Sequence, residues 1–352
     1  MKTVFDEIQI KDITMKNRVV AASVGRNLAE RDGRISEELY EIYRELAQGG
    51  AGLIFSEMTM VSDADYQMPG FTRLHDDSVI DDYKKLTYII HQEGIPIIAQ
   101  LAFGAFHKMN NGELKQLSPD ELTDADIRKI VKDFIEAAVR AQKAGFDGVE
   151  LHCAHGFLLN KILSPAFNHR KDEYGGNTEK RTAIVIDIIR EVHEMCTGFP
   201  IFVKINSTDN LEDGITEKES IAICKLLVDA GVDAIEVSGM NATVDKIRPG
   251  EMEGYFATFA KELKKDISVP IILTGGHRSI EHMELLLADD ACDMFSIARP
   301  LIREPGLIYR WKTGDLKPSD CVSCNMCASM KGHRCIKGTI HVDGSVTKSE
   351  KA

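Results

Sequence analysis

The sequence predicts a single (β/α)8 barrel carrying a short cysteine-rich C-terminal appendix, and three observations predict it. Eight short apolar, β-branched runs recur along the chain, each followed by a longer stretch of helical periodicity. The runs are apolar nearly throughout, as strands covered on both faces of a parallel sheet must be. The length of 352 residues suits one barrel of about 250 residues with additions. No G-x-G-x-x-G follows any run, so an open dinucleotide-binding sheet has no support.

The expected strands are Arg18–Ala22, Gly52–Ser56, Pro96–Leu101, Gly148–Leu151, Ile201–Ile205, Ala234–Val237, Pro270–Leu273 and Met294–Ala298. Eight alternating units favour closure over double winding. Between them, Glu37–Gln48, Ile127–Ala144, Glu179–Met195 and Glu217–Ala230 repeat apolar residues at three- and four-residue spacing, enough to lay one face on a sheet. Gly49-Gly50, Gly145 and Gly231 stand where left-handed helix caps are wanted. The barrel should close near Arg299, followed by a helix around Glu304–Thr313. That divides the chain into a barrel of residues 1–313 and an appendix of residues 314–352, whose polar tail, Ser345–Ala352, is expected to fray.

Apolar residues make up 43% of the chain, enough for a sizeable core. The formal net charge of -12 opposes binding to nucleic acid or to anionic membrane surfaces. No apolar run approaches the roughly 18 residues of a membrane span. The opening MKTVFDEIQI lacks the apolar core and small-residue cleavage site of a secretory signal. The expectation is a soluble, cytoplasmic protein. Cys153, Cys196, Cys224 and Cys292 are isolated and read as small buried hydrophobes. Cys321, Cys324, Cys327 and Cys335 crowd into one segment, which in a chain without a secretory signal points to metal before disulfides.

Barrels of this class carry their chemistry at the C-terminal strand ends. Gly275-Gly276 after the seventh strand and Arg299 after the eighth suit a phosphate held by backbone N–H groups and a guanidinium. The alternative is a glycine turn beside a surface arginine. Gln100 and Lys204 can face one flat heterocycle, the amide donating and accepting while the ammonium stabilises negative charge. His152 and His155 leave one strand end three residues apart, where both can donate to a single carbonyl oxygen. No third barrel ligand stands at a spacing that would make the pair a zinc site.

These residues lie in longer strings. Lys16–Val20, then Glu150-Leu151-His152-Cys153-Ala154-His155-Gly156-Phe157-Leu158-Leu159-Asn160 running into LSPAFNHRKDEYGGNTEKR, resemble the Old Yellow Enzyme, or NADH:flavin oxidoreductase, family from about Phe5 to Trp311. The resemblance implies an FMN-dependent oxidoreductase, reduced by NADH or NADPH, that reduces the activated C=C bond of an α,β-unsaturated carbonyl compound. It implies that Ser23, Val24, Gly25 and Met58 line the flavin, that Gln100 bonds its pyrimidine edge, and that Lys204 stands near N1 and O2. Gly275, Gly276 and Arg299 would hold the phosphate, and His152 and His155 the substrate oxygen. The family's usual proton-donating tyrosine is here Phe157, which leaves Tyr66, His107 and Tyr255 as candidate donors. Gly25 stands where many relatives carry threonine or cysteine.

The pattern C-x2-C-x2-C-x7-C is similar to the iron-sulfur segment of the dienoyl-CoA reductase and trimethylamine dehydrogenase branch. It implies a [4Fe-4S] cluster on Cys321, Cys324, Cys327 and Cys335, with zinc, and His333 as a substitute ligand, as the alternative. Larger members of that branch continue into further domains that feed electrons through the cluster. Here the resemblance implies a separate redox partner protein or a cluster that fixes the C-terminus. The alternative functions are an NADH oxidase or demethylating relative, and an electron-transfer subunit. A homo-oligomer is compatible with all of them.

Overall fold

A computed structural model describes residues 2–65, 70–110 and 113–350. Eight parallel strands form the barrel: β1 (Val19–Ala21), β2 (Leu53–Phe55), β3 (Ile97–Ala102), β4 (Gly148–Cys153), β5 (Ile201–Asn206), β6 (Ala234–Ser238), β7 (Ile271–Leu273) and β8 (Met294–Ile297). Each pairs in parallel with the next. Phe295 opposite Val19 and Ile297 opposite Ala21 then join β8 back to β1, closing the cylinder. All eight expected strands are present.

Helices α1 (Glu37–Gln48), α2 (Ile80–His91), α3 (Asp124–Lys143), α4 (Leu158–Leu163), α5 (Thr178–Met195), α6 (Glu217–Asp229), α7 (Ala257–Leu263) and α8 (Ile280–Ala288) connect the strands. Their starts follow local chemistry. Ser36, Thr123, Asn177 and Thr216 each accept a hydrogen bond from a first-turn amide, and Thr123 closes a capping box with Asp126. Each buries one apolar face, such as Leu39, Tyr40, Tyr43, Leu46 and Ala47 of α1.

Inside the barrel, side chains stack in layers set by the two-residue period of the strands. The lower layer is apolar: Val20, Leu53, Ile98, Phe202, Ala234, Ile272 and Met294 pack together. An N-terminal hairpin, Ile8–Ile10 against Ile13–Met15, plugs it from below with Ile10, Ile13 and Met15. Two residues further along the strands the layer turns polar. Gln100, Glu150, Lys204, Glu236 and Ser296 are all buried there.

Several expectations need correction. The helix placed around Glu304–Thr313 is present but shorter, α10 (Leu307–Lys312), and a separate short helix, α9 (Arg299–Arg303), precedes it across Pro305 and Gly306. The tail expected to fray starts by pairing, with Val346–Thr347 against Thr339–Ile340. The plugging hairpin and a second hairpin after β3, His107–Asn110 with Glu113–Gln116, went unread because their strands are too short for a periodic signal. Tyr66, a candidate proton donor, lies outside the described residues. Among the described residues no helix is long and apolar enough to cross a membrane.

Candidate active site

The C-terminal ends of the strands open into a cavity of about 380 Å³, within the ~300–1,000 Å³ usual for small-molecule sites. Of the residues expected there, Ser23, Val24, His155, Lys204, Gly275, Gly276 and Arg299 border it. The others stand back. Gln100 is buried in the polar layer beneath, where its carbonyl accepts from Ser23 Oγ at 2.8 Å and its amide donates to Glu150 Oε2 at 2.5 Å. Met58 is half-buried after β2. The carbonyl of Gly25 is taken by His333 Nδ1 at 2.5 Å. His152 is buried behind His155, their rings 5.0 Å apart and edge-on, with Phe157 4.7 Å from the His152 ring.

The loop carrying His155 is held under strain. His155 adopts φ 61°, uncommon for a side chain of this size. Its N–H is fixed by Asn206 Oδ1 at 3.1 Å, and the next amide, of Gly156, by Asn160 Oδ1 at 2.8 Å. Asn206 and Asn160 both donate to Asp209 Oδ1, at 2.8 and 3.2 Å. Strain of about 1–3 kcal/mol persists only where the surroundings over-determine it, and such places cluster at functional sites. His155 Nε2 lies 2.8 Å from Ser238 Oγ.

Burial and then the charge of Lys204 push the His155 imidazole down to about 3. Burial, with His155 and Lys204 adding to it, holds His152 well below its ordinary value. Both rings are neutral across the physiological range. Each therefore donates through one nitrogen only, and His152 Nδ1 meets no partner among the described residues. Burial opposes the charge on Lys204, but Glu236, 2.9 Å away, and Glu150 keep its ammonium charged.

At the far end of the cavity Gly275 and Gly276 turn the chain at φ 122° and 84°, conformations that side chains rarely adopt. A Cβ on Gly276 would come within 2.8 Å of Ile247 and 3.0 Å of the Tyr255 ring. Arg299 donates to the Val244 carbonyl at 2.6 Å and to Asn325 Oδ1 at 2.5 Å. Beside it the sequence reading missed Arg278, buried and bordering the same space. Its guanidinium donates to the carbonyls of His277 and Cys321 and to Ser323 Oγ. Among the described residues no carboxylate pairs with the guanidinium of Arg278 or Arg299, so this end suits a bound anion.

Glu150 and Glu236 were missed as well, although a charged residue inside an apolar strand was a legible signal. The C-terminal segment reaches the same space: Asn325, Cys327, Ala328 and His333 form part of the cavity wall. His333 engages Gly25 and Asn27 through its two ring nitrogens and has none to spare as a metal ligand. Cys321, Cys324, Cys327 and Cys335 border one small neighbouring cavity together with Arg299 and Asn325. Among the described residues, no three metal-binding side chains converge tightly enough to hold a single ion.

Residues 3–317 match the profile of the NADH:flavin oxidoreductase / NADH oxidase family. The chain belongs to that family. It is 32% identical over 346 residues to an NADH oxidase of Thermoanaerobacter brockii, covering 92% of this chain but 52% of that protein. It thus spans about half the length of that relative. It is also 32% identical over 316 residues to an NADPH dehydrogenase of Listeria innocua serovar 6a, covering 87% of this chain and 93% of that one. In architecture it resembles 2-naphthoyl-CoA reductase in complex with 2-naphthoyl-CoA, with a TM-score of 0.84 at 24% identity over 97% of this chain and 57% of that one. Membership makes the chain an oxidoreductase and supports flavin and a nicotinamide nucleotide as its redox couple.

Proposed function

We propose that the chain is an FMN-dependent ene-reductase that oxidises NADH or NADPH and reduces the C=C bond of an α,β-unsaturated carbonyl compound. The observation that carries this reading is the neutral imidazole of His155 at one strand end, with that of His152 buried behind it, beside a buried ammonium, at a cavity whose other end offers two guanidiniums that meet no carboxylate among the described residues. The residues fit the cofactor. Gly275, Gly276, Arg278 and Arg299 would hold its phosphate, Lys204 its electron-rich pyrimidine edge, and Ser23 and Val24 its ring face. When bound, FMN would supply hydride-transfer chemistry between the nicotinamide nucleotide and the β-carbon of the substrate. His155, with His152 behind it, binds and polarises the substrate oxygen as a hydrogen-bond donor.

Anaerobic reduction of the purified protein by NADH or NADPH, followed by reoxidation with a panel of enones, tests the reading. Bleaching and return of flavin bands support it; absence of flavin, or reoxidation by oxygen alone, refutes it. The second outcome is that of an NADH oxidase, the alternative favoured by Phe157, which places no hydroxyl beside His152. Phe157→Tyr restores one, and with a general acid typically contributing about 10²–10⁴-fold, enone turnover should rise at least tenfold. An unchanged steady-state rate would show that protonation does not limit turnover.

The four cysteines are proposed to hold a [4Fe-4S] cluster. They border one cavity together, and a cubane offers each of four thiolates its own iron. Cys324→Ser should abolish the broad cluster absorbance and cut bound iron from roughly four per chain while flavin stays bound. Iron content unchanged by the substitution, or zinc in the wild type, would refute the assignment.

A further inference from the structure

Beneath the cavity, the polar layer of the barrel holds two carboxylates that the proposed reaction does not use. Glu150 on β4 and Glu236 on β6 flank Lys204 on β5, and neither has any solvent exposure. Lys204 Nζ stands 2.9 Å from Glu236. Gln100 donates its amide to Glu150 Oε2 and accepts Ser23 Oγ on its carbonyl. The two carboxyls lie within hydrogen-bonding reach of each other. Glu150 Oε1 and Glu236 Oε1 nevertheless meet no donor among the described residues. The titratable groups around the pair are Lys204, the neutral His155 beside Glu236 and the Cys153 thiol beside Glu150, which burial keeps protonated, with Ser296 uncharged, so one cation faces two acids. Touching carboxyls in a dry interior do not both ionise against a single ammonium, and facing acceptors need a proton between them.

We infer that Glu150 and Glu236 share one proton and act as positioning residues beneath the flavin. Glu236 supplies the anion that fixes the Lys204 ammonium. Glu150 stays an acid, and its accepting oxygen holds the Gln100 amide so that the Gln100 carbonyl turns to Ser23. The layer therefore presents a neutral set, one ammonium against one carboxylate, where a lone lysine would present a free positive charge. An uncompensated cation favours the anionic reduced flavin; the shared-proton pair restrains that preference. The role toward the flavin rests on the proposed function above, whereas the proton itself does not.

The test compares wild-type, Glu150→Gln and Glu150→Gln/Glu236→Gln holoenzymes, each with its flavin content read by absorbance. In infrared spectra at mildly alkaline pH, where the buried Glu57, pushed up to about 7, is largely ionised, the wild type should show the carbonyl stretch of a buried protonated acid, and Glu150→Gln should lose it. This measurement needs no flavin, so it decides the proton even if the flavin reading fails, which the absorbance would reveal. A wild type lacking the band overturns the inference. In flavin potentiometry, Glu150→Gln exchanges a neutral acid for a neutral amide and should move the reduced-to-oxidised equilibrium less than about threefold. The double variant removes the anion and should shift it toward the reduced form tenfold or more, about 30 mV for a two-electron couple. A tenfold shift in Glu150→Gln alone would mean that Glu150 is ionised, and an unchanged potential in the double variant would mean that the pair does not act on the flavin. Either result overturns the proposal.

Discussion

Lys204→Met is expected to cost about 3–5 kcal/mol of folding stability at mildly alkaline pH, the usual cost of stripping one partner from a buried ion pair. Lys204 and Glu236 are both buried, with Glu150 beside them. Without the ammonium, the interior must hold an unpaired carboxylate or take up a second proton. Taking up a proton becomes easier as pH falls, so the deficit should shrink in acid. Urea unfolding of wild type and variant at two pH values would measure it. A loss below about 1 kcal/mol, as for a surface pair, would mean that Lys204 is not the counter-charge of the layer. On the proposed function the variant should also bind flavin weakly, because the polar layer would lose the ammonium of Lys204.

His155→Ala is expected to lower kcat/KM for enone reduction about 10²–10³-fold, the range seen when one preorganised donor to a developing oxyanion is removed. Reduction of the flavin by NADH or NADPH in a rapid-mixing experiment should change far less, since that half-reaction develops no such charge on the substrate. His152→Ala should be the milder of the two, as His152 stands behind its partner rather than on the cavity. Equal losses in both half-reactions would point to collapse of the loop rather than loss of a donor. The pH profile adds a further check. With His155 held near 3 and His152 also depressed, neither imidazole should contribute a limb in the neutral range. The same depression makes the fold acid-sensitive. The unfolded chain binds the His155 proton near 6.5 and the folded one only near 3, so the histidine contribution is complete above 6.5 and is lost as pH falls through that interval.

How much of this was legible depended on the range of the interaction. The strands could be read because continuous apolar, β-branched runs belong to strands buried on both faces, and the helix ends at Gly50, Gly145 and Gly231 because a left-handed cap is a local requirement. The plugging hairpin could not be read, since its three-residue strands carry no periodic signal and Ile10, Ile13 and Met15 are buried only by virtue of the barrel floor they fill.

The candidate site divides in the same way. By itself the sequence determined the barrel, the family, and the strand-end identities of Lys204, His155, Gly275, Gly276 and Arg299, because strand direction and period fix which residues reach the mouth. Only the tertiary structure decided what those residues face. It set Gln100 a layer below the cavity, turned His333 onto Gly25, brought Arg278 to the anion end and folded the cysteine segment into the wall. It also assembled Glu150, Glu236 and Lys204 from three separate strands. The physical reason is that a charge's partners and its desolvation are properties of the space around it, and closing the barrel creates that space from residues far apart in the chain.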